Sequence, residues 1–163
     1  MKSKKLEISV ESSVASPRAE LGLIRRVATK VAAAEGFRRG QLSVGIVGAR
    51  RMATLHRQYS GVDGATDVLT FDLGTTNRLD EIDGTIIVCA AVAEREARKL
   101  GRAGELALYV THGILHLAGY DDHDPPDFER MHAREDELLT ELGLGALFAE
   151  KRPLPLRKQA RRR

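Results

Sequence analysis

The sequence predicts an α+β fold: a small, mostly parallel sheet of about four strands packed with about five helices. Three observations carry this. The strand patterns fall in the first 90 residues and the longest helical patterns after them, helices intervene between several strands as parallel pairing requires, and 163 residues with 42% hydrophobic side chains suit one core.

Residues 5–11 alternate Leu6, Ile8 and Val10 with Lys5, Glu7 and Ser9, the pattern of a half-buried strand. Pro17 then opens a helix over 18–35, where Leu21, Ile24, Val27, Ala28 and Val31 recur at helical spacing and Gly36 provides the stop. A second strand is expected over 42–47, and a short helix over 50–59 with Met52 and Leu55 inward and Arg51 and Arg57 outward. After a turn at 61–64, the β-branched and aromatic run 67–71 reads as a third strand and 74–83 as a loop. Residues 84–89, Gly-Thr-Ile-Ile-Val-Cys, form the most apolar and therefore central strand. Helices are expected over 91–100, 105–117 and 126–142, with Gly101 and Gly104 separating the first two and Gly143 ending the last.

The charge is unevenly placed. Residues 151–163 hold seven basic side chains and no acidic one; without them 19 basic face 23 acidic residues, a net of −4 against +3 for the whole chain. The expected organisation is a single domain over 1–150 and a basic, disordered tail over 151–163, which either contacts phosphates or only solubilises the protein. No segment is long and apolar enough to span a bilayer and the N-terminus lacks a signal-peptide core, so a cytoplasmic location is expected. Cys89 is the single cysteine, which leaves histidine and carboxylate as the possible metal ligands.

Chemistry concentrates in His112-Gly-Ile-Leu-His116-Leu-Ala-Gly-Tyr-Asp-Asp-His123. His112 and His116, four residues apart on a helix, share one face one turn apart. A helix end at Gly119 lets the chain reverse, so that His123 can supply a third ligand and leave one coordination position for water. Imidazole donors without thiolate make one Zn2+ the default ion of a site at the end of a helix, and metal-bound water the reactive group of a hydrolase. His56 and His132 fit no ligand pattern and read as surface or packing residues. The zinc-peptidase signature requires glutamate after the first histidine; here that position is Gly113, so a peptidase lacks its base.

This motif, preceded by Ala65-Thr-Asp-Val-Leu-Thr-Phe71, resembles the YbeY family of bacterial rRNA maturation endoribonucleases over about residues 42–147. The resemblance implies a metal-dependent endoribonuclease acting on single-stranded RNA, in maturation of the small-subunit (16S) rRNA 3′ end and in ribosome quality control. Its implied partners are rRNA and the small ribosomal subunit or its assembly factors, with no membrane, and its implied ligands are the three motif histidines holding zinc.

The chain departs from the family pattern at two places. The family's third histidine stands two residues after the tyrosine, where this chain has Asp122, with His123 following. His112, His116 and His123 are the expected ligands, because a one-residue loop extension is cheap and keeps the ligand set; Asp122 is the competing donor, and Asp121, Asp122 and Asp124 can otherwise orient imidazoles. Ser60 stands where the family carries an arginine suited to holding a phosphate. Arg57, one turn earlier, is the substitute phosphate contact; no other catalytic residue is assigned.

Two further readings compete. The Ser60 departure favours a ribosome-assembly RNA-binding factor with a mainly structural zinc. The histidine spacing alone also fits a metallohydrolase of peptides or small molecules, which the missing glutamate disfavours.

Overall fold

The computed structural model describes residues 5–76 and 79–147. The elements run β1 (Leu6–Ser12), α1 (Arg18–Ala34), β2 (Arg39–Val47), α2 (Ala49–Ser60), β3 (Val68–Asp72), β4 (Glu81–Cys89), α3 (Ala90–Glu96), α4 (Gly101–Leu117) and α5 (Pro125–Glu141). The strands form one sheet in the order β1-β2-β4-β3. β1, β2 and β4 are parallel, and β3 runs antiparallel to β4 along the edge. The architecture is the expected mostly parallel four-stranded sheet with five helices.

One face of the sheet is buried. Leu42, Val44 and Ile46 of β2 and Ile82, Ile86 and Val88 of β4 point into the core, whereas Gln41 and Ser43 on the alternate positions of β2 are exposed. α4 lies over the buried face and contacts β3, β4, α1, α3 and α5. It is buried nearly all round, as its apolar composition requires, with Leu106, Ala107, Val110, Ile114 and Leu115 fully buried. At Gly113 an added Cβ would lie 2.8–3.0 Å from three side-chain atoms of Ile86, so this glycine sets how closely α4 approaches β4.

Several boundaries differ from the sequence reading. β2 and β4 begin three residues early, at Arg39 and Glu81, because these polar ends pair with each other. Gly40 makes the pairing possible: its φ is +107° and a Cβ there would lie 1.9 Å from the Ile82 carbonyl oxygen. Gly104 lies within α4 rather than separating two helices, and α3 stops at Glu96. α5 begins at Pro125, since proline is tolerated in a helix's first turn.

Two ion-pair clusters fasten the helical layer. Arg102 of α4 holds Glu20 of α1 through Nε at 2.8 Å and Nη2 at 2.7 Å, and Arg134 of α5 reaches Glu35 at 2.8 Å. Cys89 is free and buried. No helix among the described residues is long and apolar enough to cross a membrane. The basic segment 151–163 lies outside the described residues.

Candidate metal centre

The last two turns of α4 present His112 and His116 on one face, and the way the helix ends decides what joins them. Gly119 has φ +103°, Tyr120 N–H bonds to the Leu115 carbonyl at 2.9 Å, and Gly119 N–H bonds to the His116 carbonyl at 3.0 Å. This double closure is the Schellman motif and turns the chain back along the helix. Asp121 Oδ1 then accepts from the backbone N–H of Asp122 at 2.7 Å and of His123 at 3.2 Å, shaping the next turn.

The outcome is that Asp122 faces the histidine pair and His123 does not. Asp122 Oδ2 lies 3.6 Å from His112 Nε2, and Oδ1 3.9 Å from His116 Nε2. One ligand atom from each of these three residues falls within a 4.8 Å cluster. His123, the third ligand expected from the sequence, has an 87% exposed side chain whose Nε2 is 3.5 Å from Asp121 Oδ1. It clusters with Asp121 and Asp122, not with His112 and His116.

Hydrogen bonds set the tautomers of the pair. His112 Nδ1 lies 2.6 Å from Glu135 Oε2, and His116 Nδ1 lies 3.1 Å from the Tyr120 carbonyl oxygen. An ionised carboxylate and a carbonyl only accept, so both Nδ1 atoms donate and both neutral rings carry their lone pair on Nε2. These two Nε2 atoms are 3.0 Å apart. Two lone pairs and a carboxylate converge there, which requires a cation between them, either a proton or a metal ion. Zinc–nitrogen distances of about 2.0–2.1 Å on a tetrahedral ion put two ligand nitrogens roughly 3.3 Å apart, so the pair fits zinc with a small outward adjustment.

Burial opposes charge on His112, but the hydrogen bond and charge of Glu135 outweigh it and hold its pKa above the usual histidine value. Burial and the neighbouring His112 both push His116 down. Burial would raise Glu135, yet its hydrogen bonds from His112 and His132 prevail and keep it ionised, below the ordinary glutamate value.

Glu135 was not evident as a site residue, and His132 read as a surface or packing residue. Both are buried against His112: His132 Nδ1 donates to Glu135 Oε1 at 2.7 Å, and its ring stacks on His112 at 5.7 Å with a 17° tilt. A signal was present in the sequence. Met131, Leu138 and Leu139 mark the buried stripe of α5, and Glu135 lies on it, a carboxylate where an apolar residue belongs.

Two spaces meet at the cluster. A cavity of about 250 Å³ is lined by Asp67, Tyr109, His112, Asp122, His132 and Glu135, among others. A cleft of about 620 Å³ opens beside it along β3, with Ser60, Thr70, Asp72, His116 and His123 in its walls. Among the described residues, neither lining contains lysine or arginine. Burial first, then the charges of Glu105 and Asp67, push the Tyr109 hydroxyl well above its ordinary pKa. Arg57, expected to contact phosphate, has a 79% exposed side chain whose Nε lies 3.8 Å from Asp63 Oδ1. His56 is bonded to the Gly64 carbonyl at 2.9 Å, a surface contact.

Fold and site together define a small α+β domain with a His-x-x-x-His helix, completed by a carboxylate, at the junction of two clefts. The family model for Endoribonuclease YbeY matches residues 7–143, and the chain belongs to that family. It is 40% identical over 135 residues to an Endoribonuclease YbeY of Anaeromyxobacter, covering 79% of this chain and 70% of the relative. It is 35% identical to that of Stenotrophomonas maltophilia, covering 90% and 97%. Among solved structures, the solution structure of TM1509 from Thermotoga maritima is similar at a TM-score of 0.56 and 26% identity, over 91% of this chain and 98% of that one.

Proposed function

We propose that this protein is a metal-dependent endoribonuclease that cleaves single-stranded RNA in maturation of the 16S rRNA 3′ end and in ribosome quality control. The observation that carries the reading is the pair of Nε2 lone pairs 3.0 Å apart, closed by the Asp122 carboxylate. His112, His116 and Asp122 would hold one Zn2+, with His123 at the rim of the cleft. When bound, the ion supplies Lewis acidity, which polarises a phosphoryl oxygen and acidifies a water. Among the described residues the cleft walls hold no lysine or arginine, which makes the ion the main attraction they would offer a phosphodiester. Arg57 is released at little cost from its exposed pair with Asp63, and is the side chain of α2 that we assign to the RNA backbone.

The reading extends to a single domain over residues 1–150, a cytoplasmic location, and rRNA in the small ribosomal subunit or its assembly intermediates as partner. The basic segment 151–163 would contact RNA phosphates. The family name of the relatives supports the reaction class; the donor set supports the metal.

The test is cleavage of a single-stranded RNA spanning the 3′ end of 16S rRNA by zinc-loaded protein, chelated protein and zinc-loaded His116→Ala. Cleavage by the first alone is expected. Equal cleavage by all three, or tight RNA binding without cleavage by the zinc-loaded protein, would refute it. The latter outcome is what the second reading requires, an RNA-binding assembly factor with structural zinc, which Ser60 in the cleft wall favours.

A further inference from the structure

Glu135 is a carboxylate with 1% of its side chain exposed, and both its oxygens are engaged by histidines. Oε2 takes the Nδ1 hydrogen of His112 at 2.6 Å, and Oε1 that of His132 at 2.7 Å. As a mere fastening between α4 and α5 this is an expensive choice, because apolar side chains of similar volume usually stabilise a buried helix contact as well as or better than a buried ionic group. Met131, Leu138 and Leu139 already provide that apolar contact on α5. The carboxylate does something a leucine cannot: it dictates which nitrogen of His112 carries the hydrogen.

We propose that Glu135, supported by His132, is a positioning residue that holds His112 in the Nδ1–H tautomer and so directs its Nε2 lone pair at the bound ion. The proposal rests on the metal-binding reading above. His132 contributes in two ways: its N–H takes the second carboxylate oxygen, and its ring, stacked on His112 and abutted edge-on by Phe128 at 4.3 Å, stops the His112 ring from turning over. Carboxylates that accept from the far nitrogen of a ligating histidine fix its orientation and raise its basicity. His116 has only the Tyr120 carbonyl in that role, so the two ligands are unequally supported.

The same three groups, His112, His132 and Glu135, also place ligand atoms within 4.8 Å of one another and so resemble a second cation site. The hydrogen-bond arithmetic argues against it. A second ion there needs bare Nδ1 atoms, so with the first ion on His112 Nε2 that ring would have to lose the hydrogens of both nitrogens, while the Glu135 carboxylate that accepts the Nδ1 hydrogen is ionised and in place.

The experiment compares wild-type protein with Glu135→Gln and His132→Phe, using Zn2+ in competition with a chromophoric chelator and 15N-histidine NMR. A glutamine amide has one accepting oxygen, so one of the two histidines must change its tautomer. Zinc affinity should fall roughly 10–100-fold in Glu135→Gln, and by less in His132→Phe, which keeps the stack. In metal-free wild type above the histidine titration range, His112 should carry its hydrogen on Nδ1. A folded Glu135→Gln protein with zinc affinity within about twofold of wild type overturns the proposal, as do two zinc ions per wild-type chain. If Glu135→Gln does not fold, the wild-type spectrum decides: hydrogen on Nε2 of His112 overturns it. Wild-type protein that binds no zinc overturns the metal-binding reading itself, an outcome distinct from zinc-binding wild type whose affinity ignores residue 135.

Discussion

Replacing Asp122 and His123 one at a time separates the two candidates for the third ligand. Structural zinc sites with four protein ligands bind with an apparent free energy of about 10–16 kcal/mol, or roughly 2.5–4 kcal/mol per ligand. Asp122 Oδ2 stands 3.6 Å from His112 Nε2, a span that an ion between them would bridge, so Asp122→Ala should lose about that much, or about 10²–10³ in zinc affinity. His123 makes no contact with the histidine pair that would place it in the shell, and His123→Ala should stay within about threefold. The assay is thermal unfolding of each variant with zinc and with chelator, reading only the difference, so that changes in metal-free stability cancel. Zinc at 100 times the wild-type Kd adds about 2.7 kcal/mol. At about 2–4 °C per kcal/mol for a chain of this size, the wild-type shift is about 5–11 °C. Under the same conditions Asp122→Ala should shift by less than about 2 °C, His123→Ala by nearly the wild-type amount, and Asp122→His should retain most of the shift. A shift lost in His123→Ala and kept in Asp122→Ala would refute the argument, because the loop would then have to present residue 123, not residue 122, to the histidines.

Three further outcomes follow from the packing. Arg102→Met strands the buried Glu20 carboxylate and should destabilise the fold by about 3–5 kcal/mol in urea unfolding, while adding Glu20→Leu should recover most of that; equal losses in the single and double variants would contradict it. Gly40→Ala drives a Cβ into the Ile82 carbonyl at a positive φ, so a midpoint loss equivalent to more than about 3 kcal/mol is expected, and a loss below about 1 kcal/mol would show that the β2–β4 pairing can relax there. Ser60→Arg puts a guanidinium in the wall of the cleft and should tighten binding of single-stranded RNA severalfold in fluorescence anisotropy, with a steeper salt dependence; unchanged affinity and slope would remove residue 60 from the substrate path.

What was legible in the sequence, and what was not, follows the range of the interactions involved. α1 and α5 showed themselves through local periodicity, and β1 through strict alternation. The true starts of β2 and β4 were hidden because Arg39, Glu81 and Asp83 are polar and Gly40 reads as a turn residue. They become strand only when paired with each other, about 40 residues apart. The antiparallel setting of β3 depends likewise on its partner. At the site, the four-residue step between His112 and His116 is a local signal and was visible. Which of Asp122 and His123 turns inward depends on the Gly119 closure and the Asp121 side chain, a difference of one residue in a loop that residue type alone does not resolve. Glu135 is 23 residues from His112, and only the packing of α5 against α4 joins them.

Gly113 connects the fold to the chemistry. In the zinc peptidases the residue after the first histidine is a glutamate that serves as general base. Here a Cβ at that position would already press on three Ile86 side-chain atoms of β4 at 2.8–3.0 Å. A glutamate there has to displace the Ile86 side chain or α4 itself, and β4 is an interior strand against which the histidine helix is held. The close helix-to-sheet approach that steadies His112 and His116 therefore excludes the peptidase base at the same position. Proton transfer has to come from elsewhere in the clefts, where Asp67 and Tyr109 line the cavity shared with His112. Raised well above its ordinary pKa, Tyr109 keeps its hydrogen and donates it to Glu105 Oε1 at 3.3 Å, so it does not serve as the base. Asp67 Oδ1 accepts from the Val68 N–H at 2.8 Å and the Thr66 hydroxyl at 3.3 Å, which ties that carboxylate to the edge strand beside the ion site. A phosphodiesterase tolerates this arrangement better than a peptidase does. An acidic leaving group of the sugar–phosphate kind needs less protonation than an amide nitrogen, and an ion held by His112, His116 and Asp122 would put positive charge where a phosphoryl oxygen would lie.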